Sequence, residues 1–76
     1  METKDREIRF GMVAVRKGYV TPDQIVEAFE IQMAEDLSKG KHNPIGMILV
    51  NLGIITKLQL DEILEILKTE KSTSSP

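Results

Sequence analysis

The fold is decided by residues 9–32, RFGMVAVRKGYVTPDQIVEAFEIQ, which the chain repeats at residues 44–67 as PIGMILVNLGIITKLQLDEILEIL. The two copies align without a gap at an offset of 35, and nine of the 24 aligned pairs are identical. Unrelated segments of average composition would share only about one or two. Most of the remaining pairs exchange one apolar residue for another. Two copies of one supersecondary unit therefore make up most of the protein.

The first copy has the pattern of a helix, a glycine stop and a second, capped helix. Apolar residues before the stop recur at helical spacing, as Ile8, Met12 and Val15. Gly18 follows two cations and is typical of a left-handed residue that closes a helix. Thr21 with Pro22, Asp23 and Gln24 forms a capping box at the start of the next helix.

The second copy follows the same plan. Asn43 and Pro44 are predicted to open a short helix, as its cap and first residue, and Gly53 to close it. Thr56 and Gln59 form a second capping box. The segment 47–50 alone could also be a buried strand, but the flanking glycines and caps favour a helix.

These patterns predict an all-α fold of four short helices, arranged as two repeated helix-turn-helix hairpins. Residues 1–70 are expected to form one domain, and residues 71–76, which lack apolar side chains, a disordered tail. The predicted core consists of Met12, Val15, Ile25, Phe29, Ile48, Leu49, Leu60, Ile63 and Leu64.

Composition limits the class of protein. The chain has 76 residues, no cysteine and a net charge of −2, so stability must come from apolar packing, and general nucleic-acid binding is disfavoured. The charged N-terminus lacks the apolar region of a signal peptide, and the longest apolar run, 45–50, is far shorter than a membrane span. We therefore expect a soluble, cytoplasmic protein.

Catalytic patterns are absent from the sequence. The single histidine, His42, lies in the polar link between the copies and is predicted to be a solvated loop residue. No glycine-rich phosphate loop is present, and the repeated glutamates lack the Glu-x-x-His partners of a di-metal site. We expect no enzyme activity, no cofactor and no metal site.

The first copy resembles the motif of a known family. The matching residues are Arg9, Phe10, Gly11, Ala14, Val15, Gly18, Tyr19, Val20, Ile25, Phe29 and Gln32. Their spacing is similar to that in the N-terminal domain of type II secretion and type IV pilus assembly ATPases, the GspE, PilB and MshE type. The resemblance implies a small helical unit with two such motifs. In some members of the family the motif pair binds cyclic di-GMP, and in others the domain docks to a membrane-associated partner. By this resemblance, the candidate ligand residues are Arg9, Phe10, Gly11 and Gln32.

The second copy departs from that motif. Pro44 replaces the arginine, Leu67 replaces the final glutamine, and the link 33–43 is longer than in ligand-binding members. A guanidinium is the natural partner of phosphate, so half of a symmetric site would lose its strongest polar contact. The family's ATPase domain is also missing from this sequence, which leaves open whether the chain is a whole protein or a piece.

Three functions remain open at this stage. The leading expectation is a non-catalytic protein-interaction or regulatory module, with a protein partner in a secretion or pilus machine. The second is a cyclic di-GMP receptor that uses the first repeat, with weak binding. The third is a small DNA-binding regulator, against which the acidic helix after Thr21 argues, because a helix that faces phosphates needs Lys and Arg.

Overall fold

The computed structural model describes residues 2–40 and 42–73, and every regular element in these ranges is an α-helix. The helices are α1 (Glu2–Arg16), α2 (Pro22–Lys39), α3 (Ile45–Asn51) and α4 (Lys57–Thr73). The predicted all-α class is confirmed. Residues 47–50 lie inside α3, so the strand alternative for this segment is wrong.

Helix lengths differ from the expectation of four short helices. Only α3 is short, with 7 residues, whereas α1, α2 and α4 have 15, 18 and 17. Helix α4 continues to Thr73 and so overlaps the tail expected at 71–76. Residues 74–76 of that expected tail lie outside the described residues.

The two repeats end their first helices with the same local geometry. Gly18 and Gly53 both have φ of 79°, in the left-handed region where a side chain is strained. After α1 the amide of Tyr19 donates to the carbonyl of Ala14 at 3.0 Å, and the equivalent bond after α3 has the same length. Both glycines therefore end their helices as the sequence predicts.

The two capping boxes are also present. The hydroxyl of Thr21 accepts a hydrogen bond from the amide of Gln24 at 3.2 Å, and the Gln24 side chain accepts one from the amide of Thr21 at 2.9 Å. Thr56 and Gln59 form the same reciprocal pair, at 3.1 and 2.9 Å. Replacing such a cap by alanine typically costs about 1 kcal/mol.

The start of α3 differs from its prediction. Pro44 is the capping residue and makes no side-chain hydrogen bond, so the expected cap at Asn43 is wrong. The Asn43 side chain instead donates to the carboxylate of Glu35 on α2 at 2.6 Å. The Asn43 side chain therefore binds Glu35 of α2 instead of capping α3, and this bond holds the link between the repeats against α2.

Helix packing joins the two repeats to each other. Helix α1 lies against α4 and α3, and α2 lies against α3. The consecutive helices α1 and α2 make no comparably close approach over their length. The predicted arrangement of two hairpins is therefore not confirmed. Helix α3 packs against α4 within the second repeat, but α1 and α2 of the first repeat are not such a pair, and the other packed pairs take one helix from each repeat.

The core contains part of the predicted set. Ile48, Leu49, Leu60 and Ile63 are buried as expected, whereas Met12 and Leu64 are 59% and 45% exposed, so their assignment to the core is wrong. Val15, Ile25 and Phe29 are partly buried against it. The core residues that the sequence analysis missed are Phe10, Val13, Ala14, Val20, Ala28, Ile45 and Ile55.

This error has a simple cause in α1, which has two apolar stripes. One stripe contains Ile8, Met12 and Val15, and the other contains Phe10, Val13 and Ala14. Both have helical spacing, so periodicity alone cannot tell which stripe is covered. Helices α3 and α4 cover the second stripe and leave much of the first exposed.

Close packing at a glycine sets the position of α3. A β-carbon at Gly46 would lie 2.5 Å from Cδ1 of Leu60 and 2.8 Å from Cζ of Phe10, closer than carbon atoms can approach. The equivalent atom at Gly11 would lie 3.3 Å from Cγ2 of Ile25, which is tight but tolerable. Gly46 thus lets α3 approach both α1 and α4.

Candidate functional site: an apolar groove between α1 and α2

The residues proposed by resemblance for ligand binding do not converge on one site. Arg9 is exposed and lines a groove between α1 and α4 that also contains Asp61, Glu65 and Lys68. Phe10 is in the core, and Gly11 lies against Ile25. Gln32 is buried on another side of α1, where it contacts Glu7. Because residues 7 and 9 are about 200° apart around a helix, Arg9 and Gln32 lie on different faces of α1.

The side-chain nitrogen of Gln32 makes two hydrogen bonds within the protein. Its side-chain nitrogen donates to Oε1 of Glu7 at 2.5 Å and to the carbonyl of Asn43 at 2.7 Å. Both partners accept hydrogen bonds, which determines the orientation of the amide. The two donor hydrogens therefore have partners, and the side-chain nitrogen of Gln32 is not available to a ligand.

His42, in the link between the repeats, contacts both α1 and α2. Its Nδ1 lies 3.2 Å from Oδ2 of Asp36 on α2, and its Nε2 lies 3.3 Å from Oε2 of Glu7 on α1. The hydrogen bond with Asp36 raises the pKa of His42, partial burial opposes this, and the negative charge of Glu7 adds to the rise. The prediction that His42 is a solvated loop residue missed these contacts, although its side chain is 44% exposed.

A second polar cluster ties the turn after α1 to α4. The hydroxyl of Tyr19 donates to one carboxylate oxygen of Glu62 at 2.5 Å, and Nζ of Lys17 lies 2.9 Å from the other. Both contacts lower the pKa of Glu62, and the hydrogen bond from Tyr19 is the larger cause. All three side chains are satisfied by one another, so the cluster is a structural connection between the repeats.

An apolar groove of about 480 Å³ lies between α1 and α2, and we call it the α1/α2 groove. It is lined by Ile8, Gly11, Met12, Val15, Arg16, Pro22, Ile25, Val26 and Phe29. Along α2, Met33 and Leu37 continue the apolar stripe from Phe29 at intervals of four residues. Val26 is 55% exposed and Met33 57% exposed, so this surface leaves large apolar side chains in water.

The second repeat has a related cavity of about 440 Å³ beside α3 and α4. Four of its lining residues, Gly46, Met47, Leu60 and Leu64, are the repeat equivalents of Gly11, Met12, Ile25 and Phe29. The borders differ, however. The positions equivalent to Ile8 and Val26 are Asn43 and Asp61, and neither of these residues lines the second cavity. That cavity is bordered instead by the polar side chains of Arg6, Glu7 and His42.

Metal binding and membrane insertion were also considered for the described residues. Among the side chains of residues 5–40 and 42–69, no group of three or more His, Cys, Asp or Glu is placed to hold a metal ion. None of the helices within 2–40 and 42–73 is long and apolar enough to cross a bilayer. Comparisons with protein-family models, with curated proteins and with solved structures find no match for this chain.

Proposed function

We propose that this domain is a non-catalytic protein-interaction module that binds a helix of its partner in the α1/α2 groove. The observation that carries the proposal is the set of exposed apolar side chains around that groove, with Val26 and Met12 each more than half exposed. Contiguous exposed apolar surface on a small protein is typical of an interaction site. A groove between two helices suits an amphipathic helix, whose apolar residues lie on one face.

The difference between the two repeats supports this function. Both repeats place a Gly-Met pair and apolar residues of the following helix around a cavity, and the methionines of both pairs remain exposed. Val26 is 55% exposed, and the second repeat has an aspartate, Asp61, at the equivalent position. Folding therefore does not require an apolar residue at position 26. The apolar side chain at position 26 is better explained by binding than by stability.

The side chains of the groove also have suitable properties. Met12 and Met33 are flexible and polarizable, so they adapt to the shape of an apolar partner. Each square ångström of apolar surface removed from water stabilises a complex by about 25 cal/mol before the entropic cost of association. A partner that covers the stripe from Val26 to Leu37 would therefore gain binding free energy mainly from burial.

The resemblance to secretion and pilus ATPase domains suggests where such a partner would occur. By that resemblance, the partner is a component of a secretion or pilus machine, and the domain acts on the cytoplasmic side. Two observations argue against the alternative of a cyclic di-GMP receptor. Arg9 lies in the groove between α1 and α4 whereas Gln32 contacts Glu7 on another side of α1, and both donor hydrogens of the Gln32 side chain are already used.

A designed peptide tests the groove directly. We would titrate the isotopically labelled protein with an amphipathic helical peptide of about 15 residues that has a leucine face, and follow the amide shifts by NMR. We expect the shifts to concentrate on Ile8, Met12, Val26 and Phe29. Val26→Asp, which introduces the residue found at the equivalent position of the second repeat, should abolish them.

Matched variants control for effects on folding. Leu58 is 81% exposed and lies outside the groove lining, so Leu58→Asp should leave binding unchanged. Met12→Glu is a second groove variant, and it should also abolish binding while circular dichroism stays helical. Binding that survives both groove variants, or no binding by the wild type, would overturn the proposed function.

A further inference from the structure

We infer that the helix bound in the α1/α2 groove carries Lys or Arg residues along the edges of its apolar face. This inference rests on the proposed function and specifies the chemistry of the partner. Its basis is the distribution of charge around the groove, which is acidic along α2. The first turn and outer face of α2 carry Asp23, Glu27 and Glu30, and the only base in α2 is Lys39 in its last turn.

The carboxylates lie directly beside the apolar stripe. Glu30 is four residues after Val26 and Asp23 is three residues before it, so all three side chains lie next to each other on the helix surface. On α1, Asp5 has the same relationship to Ile8. Lys4 is four residues before Ile8, however, so the acidic border of the groove belongs to α2 alone.

These acids have no neutralising partner among the described side chains, those of residues 5–40 and 42–69. The other two acids of α2, Glu35 and Asp36, contact Asn43 and His42, but Asp23, Glu27 and Glu30 form no ion pair with side chains of the described ranges. All three are exposed. One base, Arg16, lines the groove near its other end.

The second repeat again provides the contrast. Its acids Asp61 and Glu65 share a groove with Arg6, Arg9 and Lys68, so positive charge surrounds them. No such set of bases faces the acids of α2 in the described residues. A row of uncompensated acids beside an apolar groove attracts a partner with complementary positive charge and disfavours an acidic one.

The test compares two peptides that share one leucine face. One peptide has lysines along both edges of that face, and the other has glutamates at the same positions. We would measure both affinities by fluorescence anisotropy at about 50 mM and about 300 mM salt. The lysine peptide should bind about tenfold more tightly at the lower salt, as expected for several exposed charge pairs. The advantage should shrink at the higher salt.

Charge-reversal variants identify the acids responsible. The double variant Asp23→Lys, Glu30→Lys should reverse the preference, so that the glutamate peptide binds more tightly. Glu65→Lys changes an exposed acid of the other groove and should leave the preference unchanged. If the double variant kept the lysine preference, the acids of α2 would not recognise the partner.

The possible outcomes separate the two proposals. Equal affinities for both peptides, both lost in Val26→Asp, would overturn the inference about charge and leave the binding groove in place. No binding of either peptide, or binding unaffected by Val26→Asp, would overturn both. Concentration-dependent dimerisation of the wild type that Val26→Asp abolishes would show that a second copy of this chain occupies the groove, against the inference.

Discussion

Gln32 of α2 donates a hydrogen bond to the carboxylate of Glu7 of α1, and the two side chains are only 6% and 8% exposed. A carboxylate at this depth needs hydrogen-bond donors, because an unsatisfied buried acceptor costs more than a hydrogen bond gains. Gln32 and His42 supply these donors from α2 and from the link between the repeats. The Glu7 carboxylate thus connects three separate segments of the chain.

We predict that Gln32→Leu destabilises the domain by about 1–3 kcal/mol. Leucine is the residue at the equivalent position of the second repeat, Leu67, so it suits the helix but cannot donate to Glu7 or to the carbonyl of Asn43. Urea unfolding measures the loss. The double variant Glu7→Leu, Gln32→Leu should regain much of it, because removing both partners leaves no buried carboxylate. A single variant as stable as the wild type would show that this bond is dispensable.

Two phenylalanines should differ in their contribution to stability. The sequence analysis places Phe29 in the core, but Phe29 is only partly buried and lines the groove, whereas Phe10 is 4% exposed. Phe10→Ala should therefore cost about 3–5 kcal/mol, a large part of the stability of a small domain, and Phe29→Ala less. Thermal unfolding followed by circular dichroism ranks them. Glu30→Ala is the exposed control and should be nearly neutral. A larger loss for Phe29→Ala would contradict the observed packing.

The contacts of His42 predict a pH dependence of stability. Its pKa is raised in the folded protein, first by the hydrogen bond with Asp36, so folding favours the protonated form. The stabilisation is complete below the unfolded pKa of about 6.5 and is lost as pH rises through the higher folded pKa. His42→Gln should therefore be more destabilising near about pH 6 than near about pH 8.5. Urea unfolding at both pH values measures the difference, which should vanish if His42 makes no ion pair in solution.

Cyclic di-GMP should bind weakly or not at all, with a dissociation constant above about 10 μM, or about −7 kcal/mol. Arg9 lies in the groove with Asp61, the Gln32 amide is used internally, and the second repeat offers Pro44, which has no N–H donor. Isothermal titration of the wild type and of Arg9→Ala tests this. Sub-micromolar binding that disappears in Arg9→Ala would contradict it and make the domain a receptor for this nucleotide.

The candidate groove could be predicted only in part from the sequence. The stripe of Ile8, Met12 and Val15 has clear helical spacing, and two of its members, Met12 and Val15, are in the predicted core. The exposed border of the groove on α2 can be recognised by comparing the repeats, because Val26 aligns with Asp61. An aspartate at the equivalent position indicates a surface site, so the apolar residue at 26 stands out once the two copies are compared.

The sequence by itself determined the four helices and the turn within each repeat. The glycines at 18 and 53, the two threonine caps and the helical spacing act through contacts within about four residues, so they are independent of the rest of the fold. Tertiary structure decided which helices pair, which stripe of α1 is covered, and that the Asn43 side chain binds Glu35 rather than capping α3. The physical reason is that an apolar stripe specifies burial but not its partner. With two stripes on α1, only the packing of α3 and α4 decides which one remains as a groove.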